Sequence, residues 1–354
     1  EAVASYHKAL AVMPDYAGAH NNLGNVLKEL GKLDEAFTCH RRAIALNPRN
    51  ELFWSGMAAS IEAYSFTSVD DDLWRDLLAL IEQPTLRPSN LIRPIISALR
   101  HDPDFSHALG LTGSGKPDTD IDYESIAGRL STIPLFLRIM TLCPLLDLEI
   151  ERMLMHLRRA VLRETLAGKT SEKGLPFSVA LALQCFTNEY VFPETAEETA
   201  SVEQLQRQIA ALVEKQQDVP PTFVATLGAY RPLYDFPWAQ QLSGQAWTGS
   251  IGQLVERQIL EPQEEQLLRS AMPCLTPIEN RVSQSVREQY EENPYPRWVN
   301  TGMRDKGRPI GAELQSPPLR LDLRDYESPE RPEILIAGCG TGQHALTTAS
   351  RFKN

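Results

Sequence analysis

Three glycines alternate near the C-terminal end of the chain: Gly338, Gly340 and Gly342, with Cys339 and Thr341 between them. The residues before them, EILIA from Glu333 to Ala337, form a short apolar run suited to a buried parallel strand. The residues after them, QHALTTASRF, carry helical spacing, His344 with Thr348 and Leu346 with Phe352. Strand, glycine turn and helix in that order build a nucleotide-type binding crevice at the carboxyl end of a first strand. Glycine is required because the backbone turns sharply and a ligand must come close to the main chain. A dinucleotide fingerprint reads G-x-G-x-x-G, with its third glycine entering the helix. This run reads G-x-G-x-G instead and has Gln343 at the next position. No base is paired with Cys339, so a nucleophilic role for this small residue is not expected.

Other patterns suggest chemistry less well. Gly110 to Lys116, GLTGSGK, fits the glycine–lysine part of a phosphate-binding loop. That mechanism needs a buried strand before the loop and a Ser or Thr hydroxyl for magnesium after it. Here HDPDFSHAL precedes and Pro117 follows, so the stretch reads as a Gly/Ser loop between helices. The seven histidines show no HExxH or other metal spacing, and no metal site is expected. In QCFTNEYVF, from Gln184 to Phe192, residues Asn188, Glu189 and Tyr190 could line a groove. Alternatively Phe186, Tyr190 and Phe192 pack a helix end; Tyr230, Arg231, Tyr234 and Trp238 pose the same choice.

The run ILIAGCGTG resembles the first motif of class I S-adenosylmethionine-dependent methyltransferases. The resemblance implies a Rossmann-like α/β domain and S-adenosyl-L-methionine as cofactor. It places Ala337, Gly338, Cys339, Gly340 and Gly342 near the amino-acid part of that cofactor. One position departs from the family pattern: Ile336 stands where many members carry an acid two residues before the first glycine. Upstream, Asn280 to Trp298 reads NRVSQSVREQYEENPYPRW, a polar helix ending in a proline-punctuated aromatic turn. In class I methyltransferases the region before the first strand often folds over the cofactor. The resemblance therefore implies a lid made of Tyr290, Tyr295, Arg297 and Trp298, with Arg297 pairing the methionyl carboxylate as a charge-assisted contact. The structural alternative is a helix end and loop anchored by buried aromatics. Only twelve residues follow Gly342, so the ribose-binding acid, the adenine pocket and the catalytic residues are expected outside this chain, which would not catalyse methyl transfer alone.

The elements that must carry such a site begin with a repeat. Ala2, Tyr6, Ala9 and Pro14 recur as Ala36, His40, Ala43 and Pro48, each 34 positions later, and His20 recurs as Trp54. Leu23, Gly24, Leu27, Ala36 and Ala43 have the alternation of small and large residues that two packed helices need. Gly31 sits at the turn between them, and Pro48 ends the second helix. This 34-residue period resembles a tetratricopeptide repeat. One full repeat spans Ala17–Pro48, half a repeat precedes it, and a first helix of a third runs from Glu51 to about Tyr64. The array is expected to begin mid-repeat and to offer a groove to a protein or peptide partner. AHNNLGNVLKELGKLDEA is also similar to repeats of O-linked N-acetylglucosamine transferases, a rival reading at odds with the glycine turn. YEENPYPRW ahead of the glycine turn looks like bacterial fusions of such repeats with a methyltransferase domain.

Between these ends the chain reads as successive helices. They are Asp70–Glu82, Asn90–Arg100, Pro134–Leu142, Asp147–Leu166, Phe177–Tyr190, Ser201–Lys215, Pro221–Leu227 and Gly252–Ser270. Turn chemistry at Lys116-Pro117, Gly174–Pro176, Val219–Pro221 and Glu261-Pro262 separates them. The expected architecture is mainly α: repeats over 1–64, an all-helical domain over 65–275, and the start of a methyltransferase domain over 276–354. The composition is that of a folded chain, 42% hydrophobic and 23% charged. A formal charge of −11 disfavours nucleic-acid binding, which needs a basic footprint. No run approaches the ~18 apolar residues that span a bilayer. Five scattered cysteines without a CxxC pair suggest reduced thiols and a cytoplasmic protein. The function expected is methyl transfer guided by a protein-interaction region; the alternative is a non-catalytic repeat scaffold.

Overall fold

The 34-residue pattern folds into α1 (Ala2–Val12), α2 (Ala17–Glu29), α3 (Leu33–Leu46) and α4 (Glu51–Ile61). This computed structural model describes all residues except 114–121, 170–171, 272–278, 293–296, 304–306, 316–318, 325–326, 328, 330–332, 337–340 and 353–354. Helix α2 packs on α1, α3 and α4. Leu23, Leu27 and Ala36 form the seam, with Val3, Tyr6, Leu10 and Cys39 against it. Gly31 joins α2 to α3 at φ +74°, a left-handed conformation that favours glycine. The repeat extends to hydrogen bonds: the His20 ring bonds the Pro14 carbonyl at 2.8 Å, and the Trp54 indole N–H donates to the Pro48 carbonyl at 2.8 Å.

Two further helices follow, α5 (Asp71–Ile81) and α6 (Ile92–Leu99). Asp70 caps α5 by accepting the Leu73 N–H at 2.7 Å, and Leu73, Leu77, Leu80 and Ile81 bury one face. Residues Glu1–Ala98 and Trp298–Asn354 form one unit, and Leu99–Arg297 another.

The second unit opens with α7 (Pro103–Gly113) and α8 (Tyr123–Leu130), followed by α9 (Pro134–Leu142), α10 (Leu148–Leu166) and α11 (Leu175–Thr187). Helix α11 is its axis. Every residue from Phe177 to Thr187 is buried, and α8, α9, α10 and α13 (Pro221–Gly228) pack around it. None of those residues is charged, so the helix is stable only when enclosed on all sides. The expected Gly/Ser loop at Gly110–Lys116 is corrected in its first part: Gly110–Gly113 complete the last turn of α7. A phosphate-binding loop leads into a helix, whereas these glycines end one.

Helix α12 (Ala196–Glu214) begins with a capping box that the sequence reading missed. The Glu198 N–H donates to Thr195 Oγ1 at 3.1 Å, and the Thr195 N–H donates to Glu198 Oε2 at 2.9 Å. Thr195→Ala should destabilise this unit by about 1 kcal/mol, read as a lower chemical-denaturation midpoint. Next come α13 (Pro221–Gly228), α14 (Ala239–Ser243) and α15 (Ser250–Val255). The expected break at Glu261-Pro262 is absent. A π-helical turn, Glu256–Leu260, joins α15 to α16 (Glu261–Ala271). Widening the turn ahead of Pro262 accommodates a ring that lacks an N–H and would press on the preceding carbonyl. Helix α17 (Arg281–Glu292) ends the described helices of this unit.

The remainder of the first unit contains α18 (Ile310–Gln315) and α19 (Gln343–Arg351). The expected strand at Glu333–Ala337 is corrected for residues 333–336, which adopt no regular structure; Ala337 lies outside the described residues. Among the described residues the extended pairing is one parallel bridge, Arg308 with Phe352. A parallel strand exists only through ladder bonds to a neighbour, and no described segment pairs with 333–336. Leu335, expected in a sheet core, is 94% exposed.

Candidate functional site

Of the residues expected at the cofactor turn, Ala337, Gly338, Cys339 and Gly340 lie outside the described residues, as does Tyr295 of the expected lid. Tyr290 falls in α17, and its side chain is likewise outside the description. Gly342, Trp298 and Arg297 are described, and they divide between the two units.

Gly342 is the N-cap of α19 at φ +83°. Among the described residues a Cβ built there would meet no atom within 4 Å, and the backbone angle by itself calls for glycine. Trp298, 44 residues upstream of that cap, reaches the same turn: its indole N–H donates to the Thr341 carbonyl at 3.2 Å. Of the expected lid, Trp298 thus contacts Thr341.

The segment around Trp298 is tied to the turn that follows α5. Asn300 Nδ2 donates to the Gln83 carbonyl at 3.3 Å, and the Gly302 N–H donates to Asn300 Oδ1 at 2.9 Å. Arg87 Nε donates to the Thr301 carbonyl at 3.0 Å, and Arg87 Nη2 donates to Thr347 Oγ1 on α19 at 3.3 Å. No motif marked Arg87, because an Arg beside Pro88 in a turn has no local signature.

Arg297 has a different environment, within the second unit. Its guanidinium pairs with the Glu189 carboxylate and stacks on the Phe186 ring, 4.3 Å from the centroid. Burial pushes the Glu189 carboxyl up and Arg297 pulls it down, with burial the larger effect. Asp235 is also raised by burial, against the pull of Arg297. Glu189 and Tyr190 both adopt positive φ, +58° and +54°, where α11 ends. Two successive left-handed residues without glycine are costly and persist only where surrounding contacts hold them. Those contacts include the Tyr190 hydroxyl, which donates to the Gly228 carbonyl at 3.2 Å. The arrangement satisfies the charge of Arg297 inside this chain, so its expected carboxylate partner already exists as Glu189.

The remaining polar and aromatic candidates form a buried network. Arg158 is 1% exposed and lies over the Tyr230 ring at 4.2 Å and the Phe192 ring at 5.7 Å. It donates to the Pro193 carbonyl at 2.9 Å and stands 3.6 Å from Glu198. The Tyr230 hydroxyl donates to Glu198 Oε1 at 3.0 Å, and Arg231 pairs with Glu194. Trp238 stacks on Phe236 with centroids 4.5 Å apart. Sequence periodicity misses this network because Arg158 occupies a position that Leu157 and Val161 mark as apolar. Two buried thiols, Cys143 and Cys185, are each pushed up to about 12 by burial, which keeps them protonated and unreactive.

Among the described residues no group of three or more His, Cys, Asp or Glu side chains is placed to hold a metal ion. No helix among them is long and apolar enough to cross a membrane.

Comparison with known families agrees with the geometry of the first helices. Residues 17–50 match the family model described as tetratricopeptide repeat, and residues 1–31 match one described as TPR repeat. The N-terminal helices are therefore tetratricopeptide repeats. No curated protein and no solved structure matches the chain.

Proposed function

We propose that the chain binds a protein or peptide partner through its tetratricopeptide repeats and brings it to an S-adenosyl-L-methionine-dependent methyltransferase centre. Helical repeats of this kind present extended surfaces suited to other polypeptides. The observation that carries the second part is the indole of Trp298 on the carbonyl of Thr341, beside a left-handed Gly342 that opens a helix. Support from the sequence is ILIAGCGTG, whose resemblance implies Ala337, Gly338, Cys339, Gly340 and Gly342 along the methionine part of the cofactor. When bound, that cofactor supplies an electrophilic methyl group on sulfonium. The protein's part is to hold it in line with the acceptor and to exclude water. In this reading the indole of Trp298 on Thr341 lies beside the ligand, and the left-handed Gly342 turns the chain into α19.

Calorimetric titration of S-adenosyl-L-methionine against the gene-length protein tests the reading. Saturable heat is expected, and Gly340→Asp should remove it by placing a carboxylate where the ligand's own carboxylate approaches. Absence of heat at millimolar cofactor, with the protein folded by circular dichroism, would leave a non-catalytic repeat scaffold. That second reading is favoured by Ile336 in the place of the family's acid and by the irregular backbone of 333–336.

A further inference from the structure

We propose that Arg87 is the positioning residue of the glycine turn: it locks the Trp298–Gly302 segment to α19, so that the indole is held on the Thr341 carbonyl. The role assigned to the turn rests on the function proposed above; the role of Arg87 in placing Trp298 rests on geometry alone. Three segments distant in sequence meet at this guanidinium. Nε holds the Thr301 carbonyl at 3.0 Å and Nη2 holds Thr347 Oγ1 at 3.3 Å. Thr301 is 3% exposed and Thr347 is 8% exposed, so both accepting residues are largely removed from water, where such bonds count for more.

The fit around the Arg87 stem is close. Gly302 adopts φ +64°, and a Cβ there would lie 2.9 Å from Arg87 Cγ and 3.0 Å from the Leu86 carbonyl carbon. Glycine is thus needed at 302 for both angle and space, and its main chain lies directly on the 86–87 peptide. Asn300 ties the same segment to this turn through the Gln83 carbonyl. Trp298 precedes this anchored stretch by two residues, and Thr341 precedes α19 by two. Anchoring both Thr301 and Thr347 to one planar guanidinium therefore sets the distance between the indole and the turn. A lysine, with a single charged nitrogen, reaches one of the two acceptors but lacks the rigid fork that spans both.

The test uses the gene-length protein in four forms: wild type, Arg87→Ala, Arg87→Lys and Thr347→Val. Trp298 emission is isolated in each by subtracting a Trp298→Phe counterpart, and S-adenosyl-L-methionine affinity is measured by calorimetry. Arg87→Ala should shift the Trp298 emission to the red and weaken the cofactor by about tenfold, the loss of one to two hydrogen bonds. Thr347→Val keeps the side-chain shape and Arg87 itself, and should produce a smaller shift in the same direction. Arg87→Lys should fall between Arg87→Ala and wild type. Unchanged Trp298 emission in both Arg87→Ala and Thr347→Val would overturn the proposal; should Arg87→Ala fail to fold, Thr347→Val decides alone. Wild type that binds no cofactor would overturn the methyltransferase reading, while the emission shifts would still report on Arg87.

Discussion

Glu198→Ala is expected to destabilise the second unit by about 3–5 kcal/mol, the cost of leaving a buried charge without its partner. The charge is that of Arg158, enclosed by Tyr230, Phe192 and the Pro193 carbonyl. Glu198 stands 3.6 Å from it and 3.4 Å from Arg159, while accepting the Tyr230 hydroxyl and closing the capping box of α12. Truncation removes all of these at once. Glu198→Gln retains a hydrogen-bonding side chain of the same length but no charge, and should fall between Ala and wild type. Replacing Arg158 and Glu198 together, with Met and Gln, should recover part of the loss, because it removes the unpaired charge as well as the pair. Urea denaturation followed by circular dichroism measures all three. A Glu198→Ala protein within 1 kcal/mol of wild type would show that Arg158 is not the centre of this network.

Acid should open the repeats through His40. The imidazole is fully buried between α2 and α4, where a Cβ at Gly24 would lie 2.7 Å from Nε2 and one at Gly56 would lie 2.6 Å from Cε1. Nδ1 contacts Asn21 Oδ1 at 3.2 Å, and Nε2 has no partner among the described residues. Burial, with the charge of Lys28 adding to it, lowers the His40 pKa to about 4. The folded state then resists protonation that the unfolded chain accepts near pH 6.5. Stability is complete above pH 6.5 and falls as the pH drops towards 4, by about 3 kcal/mol at 1.36 kcal/mol per pH unit. Hydrogen exchange of α2, α3 and α4 amides between pH 7 and 4, corrected for intrinsic rates, reads this loss locally. In His40→Leu this His-linked part of the slope should vanish. A slope equal to wild type would assign the acid sensitivity to other groups.

His40 shows how far the sequence is legible. The 34-residue offset that pairs it with Tyr6 identifies the repeat, and the matched contacts of His20 and Trp54 bear the period out. The offset could not show that Gly24 and Gly56 make room for the ring, since that depends on two helices meeting at one side chain. Caps at Asp70 and Asp147 follow from residue type next to an apolar period. Arg158 and Glu198 stay hidden because a charged residue in an apolar face carries no label for its partner. EILIA has the composition of a strand, yet composition cannot supply the neighbour whose backbone makes it one. At the candidate site Trp298 bonds Thr341, the residue before Gly342, whereas Arg297 pairs with Glu189, 108 positions away.

Hydrogen–deuterium exchange with and without S-adenosyl-L-methionine tests the central claim most directly, because it reports where a ligand sits as well as whether it binds. Protection is expected over Thr341–Ser350 and over Trp298–Gly302, the two segments joined by the indole of Trp298 and by Arg87. Unaltered exchange in both segments at saturating cofactor, or protection confined to other parts of the chain, would contradict a cofactor turn at this place.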